Sequence, residues 1–233
     1  MVPKTAEALR RVTMGIIYSA GMSCNHFDVA PEHGRTKFLV DVKHEGDNID
    51  AENPRLNELT ALYYLWKNEH DVGYKGLEHY RRAIWDVSNT HLLEPDEIEG
   101  ILKDYDVILT DKYVFFPHTM DHYCLPKNDY THHIERMNDC WNGFGDFYWN
   151  WICTHYPSEH SWCNIFVANE EVSDEYCQMC FDLVLNLKQP KGTKRFFAYC
   201  TEKLFSPWSA FKGLKVYHGR IHVYSEKPAS AGY

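Results

Sequence analysis

No stretch of this 233-residue sequence approaches the ~20 consecutive apolar residues that a membrane-spanning helix requires. The short apolar run Gly15-Ile16-Ile17-Tyr18, although preceded by basic residues, is too brief for the core of a signal peptide. It reads as a first strand, and the protein as cytoplasmic. Basic charge is also scarce: 24 Lys and Arg against 33 Asp and Glu leave a formal charge of −9. That balance argues against nucleic acid as a partner, because nonspecific binding needs a broad cationic surface. Any anionic ligand has to be held by a local cluster. The sequence has no internal repeat and no low-complexity linker. Its eight cysteines lack the dense spacing of a secreted disulfide scaffold. The one C-x-x-C, Cys177 and Cys180, lies in a stretch with helical periodicity and has no second pair behind it. A packed helix face explains it better than zinc or redox chemistry.

What the chain does have is rings. Tyr, Phe and Trp make up 15% of it, enough for an aromatic core and for surfaces that stack on sugars. Strands are expected around 12–18 and 37–42 from β-branched and aromatic content. Asn53-Pro54 opens a helix, whose apolar residues Leu56, Leu59, Leu62, Tyr63 and Trp66 recur at three- and four-residue steps. "VGYKGLEHY" then reads as a strand, "HLLEPDEIEGILKDY" as a helix and "DVILTD" as a strand. Further on, a helix is expected through "DYTHHIERMNDCWNGF", a loop at "HYPSEHSW" and a strand in "WCNIFVANEE". Helices follow over 176–187 and through "KRFFAYCTEKLFSPWSAF", with a closing strand in "LKVYHGRIHVY". Alternation at this spacing predicts βαβ units, a mainly parallel sheet, and a ligand at the carboxyl ends of its strands. One domain over 1–225 with a flexible tail at 226–233 accounts for the length.

At one expected strand end stands His79-Tyr80-Arg81-Arg82. Arginine keeps its charge and offers a planar fork to two phosphate oxygens, so the cluster suits a diphosphate. The histidine adds a cation when protonated or a hydrogen-bond donor when neutral. The same residues are read as well as a solvated turn, with one arginine paired to Glu78 or Asp86. Gly46-Asp47-Asn48 has the composition of a loop that binds ribose or sugar hydroxyls, and equally that of an ordinary turn. Glu58, beside an apolar helix face, needs a partner and is placed to orient Arg81 or Arg82. A second constellation, His118, His122, His132 and His133 with Asp121 and Asp129, contains zinc-ligand types. Pro117 and Pro126 bracket a segment too short to be a secure helix for the four-residue spacing. The region, rich in Tyr, Trp and His, fits an acceptor-binding loop that stacks on sugar rings better than a zinc hydrolase.

The stretch "GDNIDAENPRLNELTALYYLWKN" followed by "GLEHYRR", then "DYDVILTDK", "CNIFVANEEVSDEYCQMCFDLVLNL" and "RFFAYCTEKLF", resembles the bacterial family DUF4422 over roughly residues 40 to 210. That family is associated with capsular-polysaccharide and lipopolysaccharide synthesis. The resemblance implies a Rossmann-like, glycosyltransferase-A-type α/β fold that uses a nucleotide-activated sugar. On this basis His79, Tyr80, Arg81 and Arg82 would hold the diphosphate, with Asp47 and Asn48 near the donor. Glu202 would be the leading catalytic base, His79 would assist catalysis, and Glu58, Asp111 and Asn164 would support the site, Asp111 also being a rival base. The partners implied are a UDP-linked sugar donor and a saccharide or lipid-linked saccharide acceptor, met at the cytoplasmic face of the inner membrane by peripheral association. No cofactor is certain. The one Asp-x-Asp, Asp104-Tyr105-Asp106, precedes its strand instead of following it, so dependence on Mn²⁺ or Mg²⁺ lacks a well-placed acidic motif. Three positions depart from the family pattern. Asn25-His26 stands where a His-Lys pair is usual, Glu202-Lys203-Leu204 replaces Glu-Arg-Leu, and Glu78 occupies a position that is commonly small. Glu78 puts an extra carboxylate beside the suspected centre. The competing readings are the zinc hydrolase and an inactive saccharide-binding domain that keeps the fold.

Overall fold

A computed structural model describes residues 14–27, 33–111, 113–114, 135, 137–139, 142–154, 159–161, 163–186 and 195–224. Two apolar strands, β1 (Ile16–Gly21) and β3 (Tyr74–His79), lie side by side and parallel, and both are buried along nearly their whole length. That is the pattern of strands covered on both faces. β2 (Arg35–Leu39) adds to the far side of β1, also parallel. β4 (Arg82–Trp85) returns antiparallel to β3, because only two residues, Tyr80 and Arg81, separate the strands.

β5 (Val107–Thr110), β8 (Phe166–Asn169) and β9 (Val216–Val223) complete a seven-stranded sheet in the order β2-β1-β3-β4-β9-β5-β8. β8 also pairs with β3, so β3, β4, β9, β5 and β8 close into a five-stranded ring. A separate ribbon joins β6 (Tyr113–Val114) to β7 (Glu159–His160). The large sheet is mixed and not mainly parallel: the ladders of β8 with β3 and β5, and of β4 with β3 and β9, are antiparallel. The reason is the tight turn after β3 together with the insertion of β8 between two strands that run alike.

The helix opened by Asn53-Pro54 is two helices, α1 (Asn53–Leu56) and α2 (Leu59–Asn68). Between them Asn57 adopts φ 51° and ψ −122°, outside the left-handed helical region and strained for any residue with a side chain. The expected apolar face is present, with Leu56, Leu59, Leu62 and Leu65 fully buried. α3 (Pro95–Ile101) carries a capping box between Glu94 and Glu97, with proline in its first turn. α4 (Phe144–Thr154) and α5 (Glu170–Val184) follow. The last helical segment is again double, α6 (Phe196–Thr201) and α7 (Phe205–Lys212).

Two apolar clusters sit on opposite faces of the sheet. One packs Tyr18, Leu77, Leu109 and Phe166 under α2, α5 and α7. The other draws Tyr74, Ile84, Ile108 and Val167 from β3, β4, β5 and β8, with Ile221 of β9 against them, and so fills the ring. Cys177 and Cys180 are free thiols on the buried face of α5. Burial pushes both thiols up, Cys180 to about 12, in keeping with a packing role. No helix among the described residues is long and apolar enough to cross a membrane. The expected tail at 226–233 lies outside the described residues, as do most of the helix expected in 129–144 and most of the loop at 155–162.

Candidate active site

The carboxyl ends of β1 and β3 open into a cleft of about 310 Å³. Its floor is the turn His79-Tyr80-Arg81-Arg82, with His79 and Arg82 as the pair that begins the hairpin. The backbone of this turn is clamped on both sides. Tyr80 N–H donates to the Ala20 carbonyl at 2.9 Å, and Tyr224 N–H donates to the Arg81 carbonyl at 2.9 Å. Successive strand residues face opposite ways, and at this turn that separates Glu78 from the cleft. Glu78 is buried on the ring side of the sheet. Arg35 meets it with two bonds, Nε to Oε2 at 3.0 Å and Nη2 to Oε1 at 3.1 Å. Ile84 N–H donates to Glu78 Oε1 at 3.0 Å, and Arg35 Nη1 donates to the carbonyls of Leu93 and His33. The extra carboxylate expected beside the basic cluster therefore does not face it.

His79 does face the cleft. Its Nε2 is buried with no hydrogen-bond partner among the described residues, and the Cys163 backbone lies close enough to the ring to favour a proton on it. Burial, more than the neighbouring Arg82 and Arg81, lowers its pKa, and nearby Glu58 only partly opposes this. The imidazole is thus neutral at pH 7. It does not supply the cation that the sequence reading allowed it.

Glu58, Glu202, Arg81 and Arg82 line the same cleft. Glu58 is buried and accepts hydrogen bonds from the side-chain amides of Asn57 and, at 2.8 Å, of Asn164. It is thus oriented by the two asparagines. The Asn164 amide also reaches the Ala198 carbonyl of α6 at 3.2 Å, and Arg82 Nη1 contacts Cys163 Sγ at 3.5 Å. Glu202 lies in the break between α6 and α7. Desolvation, and then repulsion from Glu58, raise its carboxyl to about 8, opposed by Arg82 and Lys203. A carboxyl poised near neutral pH beside fixed cations is equipped for acid–base chemistry. Backbone strain gathers here too. Asn57, Cys163, Asn164 and Arg195 all have positive φ, and Asn57 and Arg195 line the cleft themselves.

Other expected site residues lie elsewhere. Asp47 and Asn48 do not line the cleft. The Asp47 backbone is tied to Asn68, and the Asn48 amide donates to the His44 and Gly46 carbonyls. Gly-Asp-Asn is here a loop that folds on itself, because Gly46 has a φ of 82° and a side chain there would strike Asn68. Asp111 is also outside, accepting bonds from Arg220 Nη1 at 3.0 Å and Ile221 N–H at 2.9 Å. In the Asp-x-Asp, Asp106 sits at the amino end of β5 and accepts from Lys215 N–H at 2.7 Å, which does not suit a metal–diphosphate site. Among the described residues no group of three or more His, Cys, Asp or Glu is placed to hold a metal ion. His118, His122, His132, His133, Asp121 and Asp129 fall outside them.

Residues 28–213 match the family model described as a domain of unknown function, DUF4422. The chain belongs to that family. No curated protein matches it. Among solved structures, the apo structure of the bifunctional glycosyltransferase WbbM aligns with a TM-score of 0.70 at 21% identity, covering 91% of this chain and 46% of that one. This DUF4422 chain therefore spans about half the length of that protein, and at this identity the likeness is one of fold.

Three cleft-side residues of the DUF4422 chain escape a reading of its sequence. Arg195 has one available signal, its place in the basic run "KGTKR" ahead of α6. Asn57 and Cys163 have none, because what places them is a positive φ that no residue periodicity encodes.

Proposed function

We propose that this DUF4422 protein is a glycosyltransferase. It moves a sugar from a nucleoside diphosphate donor, with UDP as the nucleotide, to a saccharide or lipid-linked saccharide acceptor in surface polysaccharide assembly. One observation carries the reading: a cleft at the carboxyl ends of parallel strands holds Arg81 and Arg82 on a clamped turn together with Glu202, a carboxyl raised to about 8. The fold shared with a glycosyltransferase of known structure supports it.

In a transfer that inverts configuration, the ionised Glu202 takes the proton of the acceptor hydroxyl as its oxygen bonds the anomeric carbon. The bond from that carbon to the diphosphate oxygen breaks, and negative charge collects on the β-phosphate. Arg81 and Arg82 stabilise that charge electrostatically, an effect that is strongest when the cations are already in place. Fixing their backbone on both sides of the hairpin supplies this preorganisation. Because the base works only when ionised, kcat rises with pH through about 8.

The test is a thermal-shift screen of the full chain with UDP, GDP and CMP nucleotides. Stabilisation by UDP that disappears in the Arg81→Ala/Arg82→Ala variant is the expected result. A chain indifferent to every nucleotide but stabilised by oligosaccharide would be a saccharide-binding module instead, and the transferase reading would be abandoned.

A further inference from the structure

The unpartnered nitrogen of His79 asks for a particular kind of ligand group. The Cys163 backbone favours a proton on the ring, and Nε2 makes no bond to it, which leaves Nδ1 as the nitrogen that carries the proton. In a neutral imidazole a nitrogen that donates carries the proton, which leaves the other as an acceptor. Nε2 then presents a lone pair, and it is buried with no donor among the described residues. A buried acceptor left unsatisfied is costly unless a ligand completes it. A phosphate oxygen, itself an acceptor, cannot do so, whereas a hydroxyl group can.

The arrangement that holds the ring is built and strained. Cys163 and Asn164 have φ values of 71° and 51°, an unusual succession for residues with side chains. The Cys163 backbone lies beside the His79 ring, and its sulfur meets Arg82. The Asn164 amide ties Glu58 to the Ala198 carbonyl of α6. One dipeptide thus touches the histidine, the arginine, the carboxylate and the helix that leads into Glu202.

We infer that His79 Nε2 is a hydroxyl-reading subsite, and that the group seated on it is a hydroxyl of the donor, on its ribose or on the sugar being transferred, and not an oxygen of its diphosphate. The identity of the ligand rests on the transferase reading. The orientation of the acceptor rests on the surroundings of the ring and not on that reading. The donor is the source because His79 directly precedes the turn that carries Arg81 and Arg82, so a hydroxyl in its reach belongs to a group attached to the diphosphate.

Two measurements on the full chain test this. The first is the nitrogen spectrum of ¹⁵N-histidine-labelled protein at pH 7, with His79 assigned. A neutral ring protonated at Nδ1 is expected, while an imidazolium or a ring protonated at Nε2 overturns the subsite. The second compares wild type with His79→Phe, each confirmed as folded by its thermal transition, in binding inorganic pyrophosphate, UDP and UDP-glucose. Pyrophosphate affinity should stay within about twofold, whereas UDP-glucose affinity should fall roughly tenfold or more. A parallel fall for UDP assigns the hydroxyl to ribose, and unchanged UDP binding assigns it to the transferred sugar. A loss of pyrophosphate affinity as large as that in Arg82→Ala, or no change for any probe, overturns the inference. If wild type binds neither UDP nor UDP-glucose, the transferase reading fails together with the ligand assignment, and the spectrum still decides the orientation of the ring.

Discussion

Glu78 and His79 are bonded neighbours at the end of β3, and the two faces of the sheet treat them in opposite ways. On the ring side, Glu78 has a bidentate arginine and a backbone N–H, and Arg35 Nη1 donates to two carbonyls. On the cleft side, His79 keeps a buried nitrogen without a partner among the described residues, and Glu202 lies close enough to Glu58 for repulsion to help raise its carboxyl. Both regions are buried and both are polar. A polar group whose bonds are complete holds a fold in register, whereas one left short is available to a substrate and makes the fold pay for it elsewhere.

The largest test of this contrast removes one member of the satisfied pair. Arg35→Met should lower stability by about 3–5 kcal/mol, read by urea denaturation, because it strands a buried carboxylate. Arg35→Met combined with Glu78→Leu should recover only part of that loss, since Ile84 N–H and the carbonyls of Leu93 and His33 stay without their partners.

On the cleft side the effect has a sign set by pH. The folded chain holds the Glu202 proton more tightly than the unfolded chain does. Its stabilising contribution is therefore complete below the ordinary carboxyl value and is lost as pH climbs through about 8. Glu202→Gln should flatten that slope. It should be more stable than wild type above pH 8, by on the order of a few kcal/mol, and the difference should shrink towards pH 5. A smaller loss, about 1–2 kcal/mol, is expected for Asn164→Gly, which relieves the positive φ but deletes the bond to Glu58. The smallest belongs to Asp47→Ala, with a stability change within about 0.5 kcal/mol and undiminished stabilisation by UDP. A marked loss of that stabilisation would return the donor to the Gly46 loop and break the division drawn here.

Much of this site could be read without coordinates, but for uneven reasons. His79, Arg81, Arg82, Glu58 and Glu202 stand far apart in the chain and do meet in one cleft. The basic turn announced itself because charge clustered at the end of an apolar strand is rare. Glu202, expected as the base, sits in the break between α6 and α7 and lines the cleft. Asp47 and Asn48 show the limit: a loop that binds a ligand and a loop that satisfies its own backbone have the same composition. The helix breaks at Asn57 and before α7 were invisible because Leu56, Leu59 and Leu62, like Phe197, Leu204 and Trp208, keep their apolar spacing across them. β4 was missed for a topological reason. It is four residues long and meets β3 through a single pair, and β9, with which it pairs along its whole length, lies more than a hundred residues away.

The closed ring also bears on how separate copies of this chain behave towards one another. A sheet normally ends in two strands whose outer amides and carbonyls can recruit another chain. Here β8 is taken up between β3 and β5, so among the described strands of the large sheet β2 alone has a single neighbour and keeps one whole edge unpaired. That edge is five residues long, and its middle residue is an exposed lysine, Lys37. A short strand with a charge at its centre is a poor template for edge-to-edge growth. Closure around the second core has therefore also left the sheet with little surface along which to polymerise.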